Sequence, residues 1–178
     1  SYSFIVDCST PSDVICGIDV SKYQGDINWN QVVNQGGKKF AIIRATAGKN
    51  TTDDKFLKNI VEAKNEGLIV GAYHFAYPQY YTAHEEAQKF LSIASNYIGN
   101  GYLPPALDIE DSPSEESYPY QMGKISLSQW IRDWCSEVEQ VAHKKPMIYC
   151  IRYYARNYLE NNLNQYPYWV VTDGGLPD

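Results

Sequence analysis

Asp108 and Glu110 stand two residues apart in Leu103-Pro104-Pro105-Ala106-Leu107-Asp108-Ile109-Glu110-Asp111, which reads as a short buried strand ending in carboxylates. Side chains alternate along a strand, so Asp108 and Glu110 project to one face, and Leu107 and Ile109 to the other. Two same-face residues lie roughly 6.5–7 Å apart. Carboxyls that close raise one another's proton affinity, so one can keep its proton near neutral pH while the other is ionised. Acid-assisted cleavage of a glycosidic bond requires that division of roles. The plain alternative is a solvated strand end, where acids are common.

The elements that must position this pair follow from hydrophobic periodicity. Strands are predicted over 15–20, 39–45, 68–77, 104–110, 146–151 and 166–172. Helices are predicted over 28–35, 53–66 and 84–98, from Ser126 or Ser128 to about His143, and over 153–163. This alternation specifies an α/β fold with a parallel sheet and helices outside it. In a closed barrel of this kind the site lies at the C-terminal strand ends. Polar residues fall there: Asp19 after Gly17-Ile18, Arg44 after Ile42-Ile43, Tyr73, His74 and Tyr77 after Val70, and the acid pair after Ala106. Residues 112–123 form a polar loop just beyond the acids, placed to wall a cleft.

A chain of 178 residues fits one domain with a substantial core. No apolar run approaches the roughly 18–20 residues of a membrane span, so no membrane partner is expected. A net charge of −6 excludes the basic footprint that nucleic acid needs. The 16 tyrosines suit stacking on sugar rings, although tyrosine is also an ordinary half-buried strand residue. The chain starts at Ser1 without an initiator Met, so a signal peptide is expected to have been removed or never present.

The four cysteines, Cys8, Cys16, Cys135 and Cys150, allow three pairings. Cys8–Cys16 would close an N-terminal loop, and Cys135–Cys150 would tie a helix to the next strand. Those bridges are the expectation, and with them an oxidising compartment; four reduced buried thiols are the alternative. The histidines His74, His84 and His143 lack zinc-ligand spacing. The acids could take a hard cation, but the chemistry needs none, so no metal or cofactor is expected. His74 reads as a hydrogen-bonded core residue rather than a base, and Trp130 and Trp134, four apart on a helix, read as core. Arg44 reads equally as a substrate contact or as the partner of a buried acid such as Asp19 or Asp108.

Gly17-Ile18-Asp19-Val20-Ser21-Lys22-Tyr23-Gln24-Gly25, Phe40-Ala41-Ile42-Ile43-Arg44-Ala45-Thr46, Gly71-Ala72-Tyr73-His74-Phe75, Pro105-Ala106-Leu107-Asp108-Ile109-Glu110 and Tyr168-Trp169-Val170, in this order, resemble glycoside hydrolase family 25, the Chalaropsis-type lysozymes and endolysins. The resemblance implies an irregular (β/α) barrel of TIM type, with residues 1–15 as an N-terminal arm and 16–178 as the catalytic domain; the last two strands of the pattern are not found in these residues, so the expectation is a piece of a longer chain or an unusual open barrel. It implies a secreted, monomeric hydrolase of bacterial peptidoglycan, cutting between N-acetylmuramic acid and N-acetylglucosamine. Glu110 would be the general acid. Asp108 would orient a reacting N-acetyl group or act as nucleophile, and Asp19 would be the third acid. Tyr73 would bind substrate; by their places at or near the strand ends, Tyr77, Arg44 and Trp169 are further candidate contacts. Two departures stand out. Ala47 replaces a glutamate present in many members, and the strand carrying a fourth acid is absent, a place that Asp173 could partly fill. A glycan-binding pseudoenzyme, or a hydrolase of another N-acetylhexosamine polymer, are the alternatives.

Overall fold

The computed structural model describes residues 15–112 and 114–171. In chain order the elements are β1 (Gly17–Val20), α1 (Trp29–Asn34), β2 (Phe40–Ala47), β3 (Thr51–Thr52), α2 (Phe56–Asn65), β4 (Ile69–Phe75), α3 (Ala83–Ala94), β5 (Ala106–Asp108), α4 (Lys124–Ala142), β6 (Met147–Ile151), α5 (Arg152–Tyr158) and β7 (Tyr168–Val171). The sheet order is β1-β2-β4-β5-β6-β7 with every neighbouring pair parallel; β3 pairs antiparallel with β2. Strands follow one another across the sheet with a helical crossover between most of them. This is a curled arc of an α/β barrel, as the alternation predicts. Among the described residues β1 and β7 each pair on one side only.

Local chemistry sets the boundaries. Thr82 and Glu85 form a reciprocal capping box that starts α3. Asn28 caps α1 by accepting from the Gln31 N–H. The β5 strand is shorter than predicted, because Pro104 and Pro105 have no N–H to donate to a ladder. The predicted helix 53–66 begins only at Phe56. Asp53 is held outside it by other partners, described below.

Strand alternation divides the sheet into two faces. Ala41, Ile43, Val70, Ala72, Leu107, Ile109, Ile148 and Cys150 join one buried cluster with Phe56, Ile60, Phe90, Ile131 and Trp134 from the helices. Trp130 and Trp134 are both buried, as expected, with the Trp130 indole donating to the Tyr81 carbonyl at 2.8 Å. Fully burying each large side chain contributes about 1.5–3 kcal/mol. The core thus lies between the outer face and the helices. The inner face carries a different set: Asp19 registers with Ile42, Arg44 with Tyr73, and Phe75 with Asp108, which registers with Tyr149 and then Trp169.

A β-bulge interrupts the β2–β4 register between Arg44 and Thr46. It frees the Ala45 carbonyl, which accepts the Asp53 N–H at 2.9 Å. Bulges re-aim side chains in this way beside functional sites.

The expected Cys135–Cys150 bridge is not formed; both are free, buried thiols. Burial raises Cys150 to about 12, opposed by a hydrogen bond from the Ala155 backbone. Burial likewise raises Cys135 well above the usual thiol range. Each packs as a small apolar side chain, so helix and strand are held by packing rather than by a covalent tie. The thiolate that disulfide chemistry needs is strongly disfavoured at both. Cys8 lies outside the described residues, as does Asp173; Cys16 is buried and is not a free thiol.

Candidate active site

The inner face ends, at the C-terminal edge of the strands, in three carboxyls. Leu107 and Ile109 are buried in the core while Asp108 and Glu110 point the other way, as strand alternation requires. Asp108 is only 6% exposed. Burial pushes its proton affinity well above the usual carboxylate range; the charges of Glu110 and Asp19 push it further, and Arg44 partly offsets them. Its Oδ1 is buried and has no hydrogen-bond partner among the described residues. Glu110 is raised by burial and then by Asp19 and Asp111. Asp19 is open to solvent on one side, yet burial against the site raises it too, opposed by a hydrogen bond from its own backbone. All three carboxyls are thus biased toward keeping a proton, Asp108 most strongly.

Tyrosines close around the acids. Burial and the nearby Asp108 charge raise Tyr73 well above its ordinary value. Its hydroxyl therefore stays protonated and can donate. Tyr149 is raised by burial and by Asp108, Glu110 and Asp19. Its ring meets Trp169 edge to face at 4.7 Å. Tyr77 sits slightly outside, its hydroxyl hydrogen-bonded to Ser112. Gly48 makes room for it: at φ 51° that turn is left-handed, and a Cβ there would meet the Tyr77 ring at 2.8 Å.

Arg44 is held from two directions. Its Nε donates to Asp53 Oδ2 at 2.9 Å, and its guanidinium lies 4.9 Å from the centroid of the exposed Tyr23 ring. The same carboxylate accepts the Lys22 N–H at 2.9 Å and, through Oδ1, the Lys55 N–H at 3.1 Å. Asp53 thus ties the loop after β1 to the end of β2. The expectation that Arg44 pairs with Asp19 or Asp108 is corrected here. The bulge at Ala45 and an Asx turn onto Lys55 bring Asp53 to the guanidinium instead.

His74 lies on the outer face, fully buried. Its Nδ1 hydrogen-bonds Thr46 Oγ1 at 2.7 Å, its Nε2 meets Glu86 Oε2 at 2.6 Å, and its ring stacks on Trp134. Glu86 also accepts the Tyr77 N–H at 3.1 Å and 3.2 Å, so this network fixes the chain as it leaves β4. Asp53, Glu86 and Tyr149 escaped sequence reasoning. The first reads as a helix cap, the second as one glutamate of an amphipathic helix, the third as an ordinary strand tyrosine. The register Asp108↔Tyr149 is the signal that finds the last. Ala47 is buried at the end of β2, opposite Phe75. Among the described residues no group of three or more His, Cys, Asp or Glu is placed to hold a metal ion, and no helix is long and apolar enough to cross a membrane.

An open parallel α/β arc with clustered carboxyls and tyrosines at its C-terminal strand ends defines a sugar-hydrolase type of site. The family model "Glycosyl hydrolases family 25" matches residues 18–173, and the chain belongs to that family. Lysozyme M1 of Streptomyces globisporus is 38% identical over 142 residues, 78% of this chain and 48% of the relative. The N,O-diacetylmuramidase of Chalaropsis sp is 32% identical over 139 residues, 75% of this chain and 64% of the relative. The chain therefore spans about half to two-thirds of the length of these two curated relatives. Among solved structures, the bacterial lysozyme of Streptomyces coelicolor superposes with a TM-score of 0.82 at 33% identity, covering 94% of this chain and 80% of that one. The family GH25 lysozyme of Aspergillus fumigatus gives 0.80 at 28% identity, covering 91% and 78%.

Proposed function

We propose that this chain is a lysozyme of the muramidase type, hydrolysing the β-1,4 bond between N-acetylmuramic acid and N-acetylglucosamine in bacterial peptidoglycan. The observation that carries the reading is buried Asp108, raised by burial and by the Glu110 charge, beside half-buried Glu110, itself raised, facing an open site in a chain whose relatives include lysozymes. Glu110, the more open of the two, is the general acid: it holds its proton at mildly acid pH and delivers it to the leaving oxygen. Asp108, with an unpaired buried oxygen, accepts a hydrogen bond from the substrate's N-acetyl N–H, which its carbonyl oxygen can do while the carboxyl keeps its proton. Asp19 adds negative potential on the same side. Tyr73 donates to a sugar oxygen, while Arg44, Tyr77 and Trp169 line the approach. No step requires a metal or cofactor.

The catalytic unit starts near residue 16, with residues 1–15 an arm stapled by Cys8–Cys16, and the protein acts as a secreted monomer. Its charge of −6 and pI near 5.0 set it against anionic walls at neutral pH, which favours an acidic working compartment. The decisive test is clearing of a bacterial wall suspension by the protein and by Glu110→Gln. An amide cannot donate the proton, so the rate falls about 10²–10⁴-fold. Undiminished lysis by the folded variant removes Glu110 from the role. Absence of lysis by the unaltered protein, with glycan binding retained, would make it a binding module instead.

A further inference from the structure

Beyond the acids, a second group of tyrosines leaves the same end of the sheet. Tyr118 and Tyr120 come from the loop that follows β5, and Tyr153, Tyr154 and Tyr158 from α5, which follows β6 directly. These are the strands that carry Asp108 and Tyr149, so the group rims the site. Tyr118 stacks on Tyr120 at 5.9 Å and 14°, and Tyr120 on Tyr158 at 5.0 Å and 21°, giving three nearly parallel rings. Tyr153 stands against Tyr158 at 5.7 Å, the two side chains hydrogen-bonded, and is 59% exposed. Tyr154 anchors the group to the acids. It is buried, its hydroxyl donates to Asp111, and it accepts the Tyr120 N–H at 3.3 Å. Asp111 adjoins Glu110 in sequence.

An exposed ring held rigidly by a stack behind it is costly to leave in water and gains from a flat apolar partner. Resting on the reading of the cleft given above, we propose that Tyr118 and Tyr153 form an outlying subsite for further N-acetylhexosamine units of a glycan strand whose scissile bond lies at Glu110. The C–H faces of pyranose rings match tyrosine faces. Continuity with the cleft through Tyr154 and Asp111 makes the occupant the same polymer chain rather than a separate partner. The subsite makes the protein prefer long strands.

The test uses the Glu110→Gln protein, so that strands stay intact, and measures binding of peptide-free glycan strands and of short fragments cut from them. The expected result is a clear preference for long strands, reduced about tenfold by Tyr153→Ala and restored by Tyr153→Phe, which keeps the ring. Tyr118→Ala supplies a second variant on the loop side, read against circular dichroism for fold. Equal length preference in folded Tyr153→Ala and Tyr118→Ala overturns the subsite. Because binding is measured without turnover, this outcome is separate from the lysis assay. A protein that fails to clear walls yet loses length preference on these substitutions keeps the subsite and loses the hydrolase reading.

Discussion

Asp53→Ala tests whether the bulge-built clasp on Arg44 is what the structure makes it. Arg44 is only 8% exposed and Asp53 is 3% exposed. Removing the carboxylate leaves a nearly buried cation without its partner, which costs about 3–5 kcal/mol. The Lys22 and Lys55 N–H groups also lose their acceptor, but both lysines lie at the surface, where water substitutes, so they add little. Against a typical total of about 5–15 kcal/mol this is a large share. At roughly 2–4 °C per kcal/mol for a chain of this size, Tm falls by about 6–20 °C. Urea and thermal unfolding, followed by circular dichroism, read the loss directly. The double variant Arg44→Leu, Asp53→Leu removes both charges at once and recovers most of the stability, because no buried charge is left uncompensated. A loss below about 1 kcal/mol in Asp53→Ala would refute the reasoning, since it would mean that Arg44 finds water or another acid at no cost.

Three further outcomes follow. Asp108 has a raised proton affinity in the folded chain, so the folded state binds more protons than the unfolded one above pH about 4, and its contribution falls as pH rises from there. Asp108→Asn should therefore raise Tm at pH 7 while changing it little at pH 3.5; the reverse pattern contradicts a buried, proton-retaining carboxyl. Lysis should follow a bell-shaped pH profile on the acid side of neutral, and moderate salt should help at pH 7.5 by shortening the repulsion to roughly 8 Å at 0.15 M; activity higher at pH 7.5 and reduced by salt defeats the acid-compartment proposal. Unreduced, denatured protein should titrate two thiols, Cys135 and Cys150, with Cys8 and Cys16 recovered as one linked peptide; four reactive thiols would remove the proposed bridge.

Much of this molecule is visible in its sequence because strand period and helix period are local. Phe40-Ala41-Ile42-Ile43 is short, β-branched and aromatic and so reads as a buried strand, and Asp108 and Glu110 share a face wherever that segment is extended. His74 and Trp134 were legible as core for the same reason. What escaped depends on distant registration. Asp53 reaches Arg44 through a bulge that no hydrophobic pattern marks. Glu86 is one of two adjacent glutamates on α3 and is buried only because His74 and the Tyr77 N–H lie opposite it. The Cys135–Cys150 expectation failed differently. The two elements do adjoin, but adjacency does not require a bond, and two buried thiols satisfy the same packing.

The two-faced sheet also bears on how such a site can change over evolutionary time. Residues of odd and even position along β4, β5 and β6 answer to separate demands: one set is fastened into the helical core, the other faces the candidate site. Tyr73, Phe75, Tyr149 and Trp169 stand in the register opposite to Leu107, Ile109 and Ile148, which belong to the helical core. Drift toward a new polymer can therefore explore one register while selection holds the other fixed. The exception is the bulge after Arg44, where the two registers are knotted together through Asp53. Any lineage that replaces Arg44 must solve a folding problem at the very edge of the candidate site.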